Sequence, residues 1–172
     1  MVLWRLRVQR ERGRAFQPRF GSGEIVAAWL GGALAISLLG LISAWSHHPL
    51  VAAPLGASTV LLFGAPASPL AQPRNIVLGN TLGAVVSTSC VAWLGQAPWV
   101  MGLAVGLTIG LSQRLRCLHP PAGAVALLGV LLKAEPSFVL SPILVGSMLL
   151  VLIAVLFHRL RPDSGPYPHH WL

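Results

Sequence analysis

Acidic residues are nearly missing from this 172-residue chain: Asp and Glu number 4 against 12 Lys and Arg, and charged residues are 9% of the whole. Glu11, Glu24, Glu135 and Asp163 all lie outside the apolar runs or at their mouths. The carboxylate relays that usually mark ion-coupled pumps are therefore missing. Cysteine is as scarce. Cys90 lies in an apolar run and Cys117 in a basic stretch, so the two form neither a disulfide framework nor a metal-ligand pattern. His158 and His169-His170 are too loosely spaced for a metal site. With no nucleophile–base pair, metal set or phosphate loop, neither an enzyme nor a cofactor is expected.

Apolar residues are abundant: 55% of the chain, with a mean hydropathy of +0.73. Apolar runs of spanning length make this an integral protein of the lipid bilayer. The net charge of +8 and pI near 11.6 invite a nucleic-acid reading. Almost all basic residues flank apolar runs, however, so they read as orientation signals and no nucleic acid is expected. Residues 1–20 hold Arg5, Arg7, Arg10, Arg12, Arg14 and Arg19 without an apolar h-region, which reads as a cytoplasmic tail. Trp4, Leu6 and Val8 are placed to rest on lipid headgroups.

The chain repeats itself. Setting Pro54-Leu-Gly-Ala57 over Pro121-Ala-Gly-Ala124 pairs Pro54/Pro121, Gly56/Gly123, Ala57/Ala124, Leu61/Leu128, Ala67/Ala134, Pro69/Pro136, Ile76/Ile143 and Gly79/Gly146 without a gap. These are eight identities over 26 aligned positions. Such self-similarity divides the chain into a basic tail (1–23), a first membrane repeat (24–95), a second (96–160) and a C-terminal tail (161–172) that reads as loose.

Each repeat holds three apolar segments: Ile25–Trp45, Leu50–Phe63 and Ile76–Leu94, then Trp99–Ser112, Pro121–Leu132 and Phe138–Phe157. The loop from Gly64 to Asn75 is too rich in proline for a regular helix. Charge decides whether the short second and fifth segments cross. If all six cross, 11 of the 12 Lys and Arg share the N-terminal side and only Lys133 is opposite. If two of them dip and return, Arg74, Arg114 and Arg116 change sides. The positive-inside rule favours six crossings. The expected fold is therefore an all-α membrane protein of six transmembrane segments, two of them short Pro/Gly-broken half-helices, in two inverted repeats of three. A bacterial inner membrane with both termini cytoplasmic is the expected location.

A half-helix of Pro54–Gly64 is about 16 Å long, roughly half the bilayer core. Proline suits a first helical position, and the residue before it avoids the helical region. Each half thus has an extended lead-in and a helix whose N-terminus lies at depth. Two such positive ends at one place would form an anion site, with Gly56 and Gly123 leaving room for a ligand. The bland alternative is that these turns only let helices pack or kink.

His119-Pro-Pro-Ala-Gly-Ala124, Pro54-Leu-Gly-Ala-Ser-Thr-Val-Leu-Leu-Phe63 and Ala65-Pro-Ala-Ser-Pro-Leu-Ala-Gln-Pro-Arg-Asn75 resemble the His-Pro-Pro (HPP) family of membrane proteins over nearly all of residues 22–160. That family is usually described with four transmembrane helices, often followed in bacteria by a regulatory CBS region. Its plastid and cyanobacterial members are associated with nitrite transport. The resemblance implies a transporter or channel for a small monovalent anion, nitrite-like, as partner. The alternative is a non-transporting membrane sensor or binding module. Where the family pattern has a histidine after the glycine of the third segment, this chain has Asn80.

The candidate binding residues are Pro54, Gly56, Ala57, Ser58, Thr59, His119, Pro120, Pro121, Gly123 and Ala124. Gln72, Arg74, Asn75 and Asn80 are expected along the path. His119 reads as the one histidine facing the membrane interior, either as an anion donor or proton carrier or as a helix cap bonded to a carbonyl. Ser58 and Thr59 either meet a ligand or back-bond their own helix. Arg74 either attracts anions or meets lipid phosphate. Gly102, Gly106 and Gly110 form a stripe for close packing within the chain or against a second copy.

Overall fold

The computed structural model describes residues 19–161 and 165–171. The arginine-rich stretch 1–18 lies outside the described residues, as do the tail's residues 162–164 and 172. Among those described, six α-helices carry the fold and no strand occurs. They are α1 (Ser22–Ser46), α2 (Ala53–Gly64), α3 (Pro73–Leu94), α4 (Pro98–Arg114), α5 (Pro120–Leu131) and α6 (Val145–Arg159). A 3-10 turn, Pro69–Ala71, precedes α3, and a π-turn, Val139–Leu144, precedes α6.

Proline places most of the helix starts. α2, α3, α4 and α5 each have proline at the first or second position, where the absent N–H is not needed. α3 consequently begins at Pro73, earlier than the expected Ile76. α1 starts instead on a carboxylate, with Glu24 Oε2 accepting the Gly21 N–H at 2.6 Å. The sixth segment is not continuous. Ser141 is extended (φ −132°, ψ 123°) ahead of Pro142, and its hydroxyl donates to the Pro49 carbonyl. The proline-rich loop 65–72 is more regular than expected, because Ser68 caps the 3-10 turn by accepting the Leu70 N–H.

Contacts between helix ends show how often the chain traverses the bundle. The start of α1 (Phe20, Glu24), the end of α2 (Phe63, Gly64) and the end of α6 (His158, Arg161) line one cavity. At the same end Arg74 on α3 donates to the Leu115 carbonyl just past α4. At the other end Ser141 reaches Pro49, and Gln96 donates to the Leu131 carbonyl that closes α5. Each helix, with its extended lead-in in the case of α2 and α5, therefore carries the chain from one end to the other, and the chain makes six passes. Arg19, Arg74, Arg114, Arg116, Arg159 and Arg161 gather at the first end, and Lys133 lies at the second. Three elements are long and apolar enough to span a membrane: Ser22–Ser46, Pro73–Leu94 and Val139–Arg159. This is an all-α membrane architecture.

The repeat is visible in the helices. α2 and α5 have 12 residues each, and adding the 67-residue offset that separates Asn80 from Ser147 carries the bounds of α2 onto those of α5. Their N-caps are similarly extended: Ala52 at φ −134°, ψ 146° and His119 at φ −140°, ψ 112°. The close approaches match as well. A Cβ on Gly79 would stand 2.9 Å from the Cys117 carbonyl oxygen, and one on Gly146 would stand 2.7 Å from that of Leu50. Gly146 and Cys117 are the repeat partners of Gly79 and Leu50. Each half thus lays its third helix against the lead-in of the other, where no side chain fits. The first half starts at the arginine end and the second at the lysine end, so the repeats are inverted.

The C-terminal segment departs from the expected loose tail. Tyr167 is 6% exposed and belongs to the main apolar cluster, and its ring lies 5.1 Å from that of His158.

Candidate functional site

The N-termini of both half-helices lie beside the crossing of α3 and α6. Gly79, against His119, adjoins Asn80, and Gly146, against Leu55, adjoins Ser147. Asn80 Nδ2 donates to Ser58 Oγ at 3.1 Å and to Ser147 Oγ at 3.2 Å. Ser58 Oγ lies 2.8 Å from His119 Nε2 and 3.3 Å from the Pro54 carbonyl. His119 Nδ1 lies 2.9 Å from the Leu70 carbonyl oxygen. A carbonyl only accepts, so Nδ1 carries the proton and Nε2 accepts the Ser58 hydroxyl. One polar side chain from each of α2, α3 and α6 and one from the N-cap of α5 thus form a single chain of hydrogen bonds. Asn80 Oδ1 alone in it lacks a partner.

The convergence expected from sequence is present, but the meeting place is filled. Ser58, Asn80, His119 and Ser147 are at most 1% exposed. The open space lies beside it, on the α4 side of the α5 N-terminus. There a cavity of about 420 Å³ is bounded by Val105, Thr108, Ser112 and Gln113 of α4, and by His119, Pro120, Gly123 and Ala124. Thr108 spends its hydroxyl proton on the Ala104 carbonyl. Ser112 is 1% exposed, and its side chain lies against that of Cys117. Burial pushes the Cys117 thiol up from its ordinary range, with the Arg74 charge and the Ser112 hydroxyl acting the other way. Cys117 thus stands as a neutral thiol.

The repeat partners of this lining differ. Leu41, Trp45 and Ala52 occupy the places of Thr108, Ser112 and His119. Gly56, which corresponds to Gly123, faces nothing within 4 Å. These three polar residues of the lining thus have apolar counterparts in the first half. Backbone amides contribute less than expected too. Pro120 and Pro121 have no N–H, and Ala122 gives its own to the His119 carbonyl at 2.9 Å.

The other candidates divide as follows. Thr59 back-bonds Leu55 at 2.8 Å, the bland alternative. Pro54 and Ala57 serve the start of α2 and do not line the cavity. Asn75 donates to the Leu118 carbonyl and Arg74 to that of Leu115, so both brace the lead-in to His119. Gln72 is buried in the loop, donating to the Pro66 and Ser68 carbonyls. His119 is not the only inward histidine: His158 is 6% exposed and donates from Nε2 to the Leu62 carbonyl at 3.0 Å. Gly102, Gly106 and Gly110 meet nothing within 4 Å, so that stripe does not pack inside the chain. Ser112 and Ser147 were not singled out from sequence; Ser147 was accessible as the repeat partner of Asn80.

Residues 17–168 match the HPP transmembrane region. The chain belongs to the HPP family. Two Dictyostelium discoideum proteins, each described as a transmembrane protein, are 34% identical to this HPP protein over 160 and 161 residues. Both alignments cover 86% of the chain, against 56% and 51% of the relatives, so the chain spans a little over half their length. No solved structure matches it.

Proposed function

We propose that this HPP protein carries a small monovalent anion, nitrite-like in size and charge, across a membrane whose cytoplasmic face is the arginine end. The carrying observation is the cavity at the N-terminus of α5, whose polar lining is Thr108, Ser112, Gln113 and His119. The end of α5 adds roughly half a positive charge, and the volume admits a three- or four-atom ion with water, each water taking about 30 Å³. Charged side chains are absent from the lining, which favours weak, reversible binding of a singly charged ion. The arginine end supplies a positive approach, and the positive-inside rule assigns that end to the cytoplasm.

The test is flux of nitrite, nitrate, formate and chloride into proteoliposomes holding the wild type, Ser112→Ala or Gly123→Leu. Flux of at least one anion, reduced in both variants, is expected. Absence of flux for all four would replace transport with the sensor or binding-module reading.

A further inference from the structure

The turn that holds His119 is itself held from outside. Leu70, whose carbonyl accepts the Nδ1 proton of His119, lies in the 3-10 turn Pro69–Ala71. The next carbonyl, that of Ala71, accepts the Tyr167 hydroxyl at 2.9 Å. The next side chain, Gln72, is 1% exposed; its Nε2 donates within the loop and its Oε1 accepts the His169 N–H at 2.9 Å. The strap 165–171 therefore grips this turn twice on one face while His119 bonds it on the other. Its other anchors are the His158 ring beside Tyr167 and the groove between α3 and α6 that Trp171 lines with Pro73 and Arg74. Tyr167 is the chain's single tyrosine. Its hydroxyl reaches 96 residues back to that carbonyl.

We propose that Tyr167 is a positioning residue for His119: by fixing the Pro69–Ala71 turn it keeps the imidazole proton on Nδ1 and Nε2 turned to Ser58. The two tautomers of a neutral imidazole differ little in intrinsic energy, so the acceptor beside Nδ1 decides between them. The Leu70 carbonyl does so only while it stays within hydrogen-bond range. With the proton fixed on Nδ1, the Ser58 hydroxyl points to Nε2, and the chain through Asn80 to Ser147 keeps one direction. Without the strap the turn gains freedom, the Nε2–H form becomes competitive, and Ser58 is released toward the Pro54 carbonyl.

This proposal rests on reading His119 as part of the anion site, and its test separates the two. Histidine ring ¹⁵N spectra of the full chain in lipid nanodiscs report the tautomer directly, with the His119 signal assigned by its loss in His119→Gln. The wild type should show Nδ1–H alone. Tyr167→Phe keeps the ring against His158 and loses only the hydroxyl. Weakening one neutral hydrogen bond changes such an equilibrium about fivefold, so the Nε2–H share should rise by about that factor. His169→Ala keeps its N–H and should match the wild type. His119 remaining wholly Nδ1–H in a folded Tyr167→Phe protein overturns the proposal, whatever the flux. A tautomer shift in a protein that moves no anion would retain the proposal and reject the transport reading.

Discussion

Asn80 and Ser147 hydrogen-bond each other at 3.2 Å, and each stands in its own half where the other stands in its half, 67 positions away. Residues in equivalent positions meet only on the axis relating two copies, so this bond marks the centre of the inverted repeat. The half-helix N-termini and the polar chain are arranged around it.

Gly79 and Gly146, beside this bond, leave no room for a side chain. Gly79→Ala and Gly146→Ala each force a Cβ against backbone carbonyl oxygen, and we expect each to cost about 1–3 kcal/mol. Gly102→Ala, whose Cβ meets nothing, should gain up to about 1 kcal/mol from helix propensity. Thermal midpoints in one detergent compare the three, and equal midpoints would contradict the close packing.

Ser112→Ala should separate stability from function. The hydroxyl meets only the Cys117 thiol, a weak partner, so its removal should change stability by less than about 1 kcal/mol. Anion flux should fall several-fold. A larger loss of stability would make Ser112 a structural residue.

Ends of the bundle can be distinguished chemically. Cysteines at Ser68 and Arg116 should react with an impermeant maleimide from the same face of sealed vesicles, and one at Lys133 from the other. Reaction of Ser68→Cys and Lys133→Cys from one face would restore a four-span topology.

Strap docking should weaken only in strong alkali. Burial pushes the Tyr167 phenol above its ordinary value of about 10. Above that value an undocked strap would lose its proton first, so the docked form binds more protons and its stability falls as pH rises. Between about pH 8 and 9 the phenol should leave docking unchanged. Absorbance at 295 nm follows the single tyrosine: the full chain should titrate later than a variant with the strap loosened by Trp171→Ala. Coincident curves would mean that the phenol is not buried.

Much of this fold was legible because it is periodic or proline-marked. Prolines at helix starts are local signals, and the Pro-x-Gly-Ala echo disclosed the repeat and, through charge sorting, the six passes. The site was less legible. Ser112 and Thr108 look alike in sequence, yet the Thr108 hydroxyl back-bonds its helix and the Ser112 side chain meets Cys117 from the following loop. The strap was read as loose because its partners are the Ala71 carbonyl and the Gln72 amide, groups that no composition or spacing reveals. Asn80 and Ser147 are unlike residues, so a search for identities passes over the pair that marks the axis.

The lining that sets Thr108, Ser112 and His119 where the first half has Leu41, Trp45 and Ala52 has a directional consequence. A protein assembled from two identical half-chains would present the same face to both sides of the bilayer and could not tell them apart. Joining the halves in one polypeptide lets them diverge, one toward a greasy scaffold and the other toward a polar-lined cavity. The two faces of the bundle therefore differ in chemistry as well as in charge.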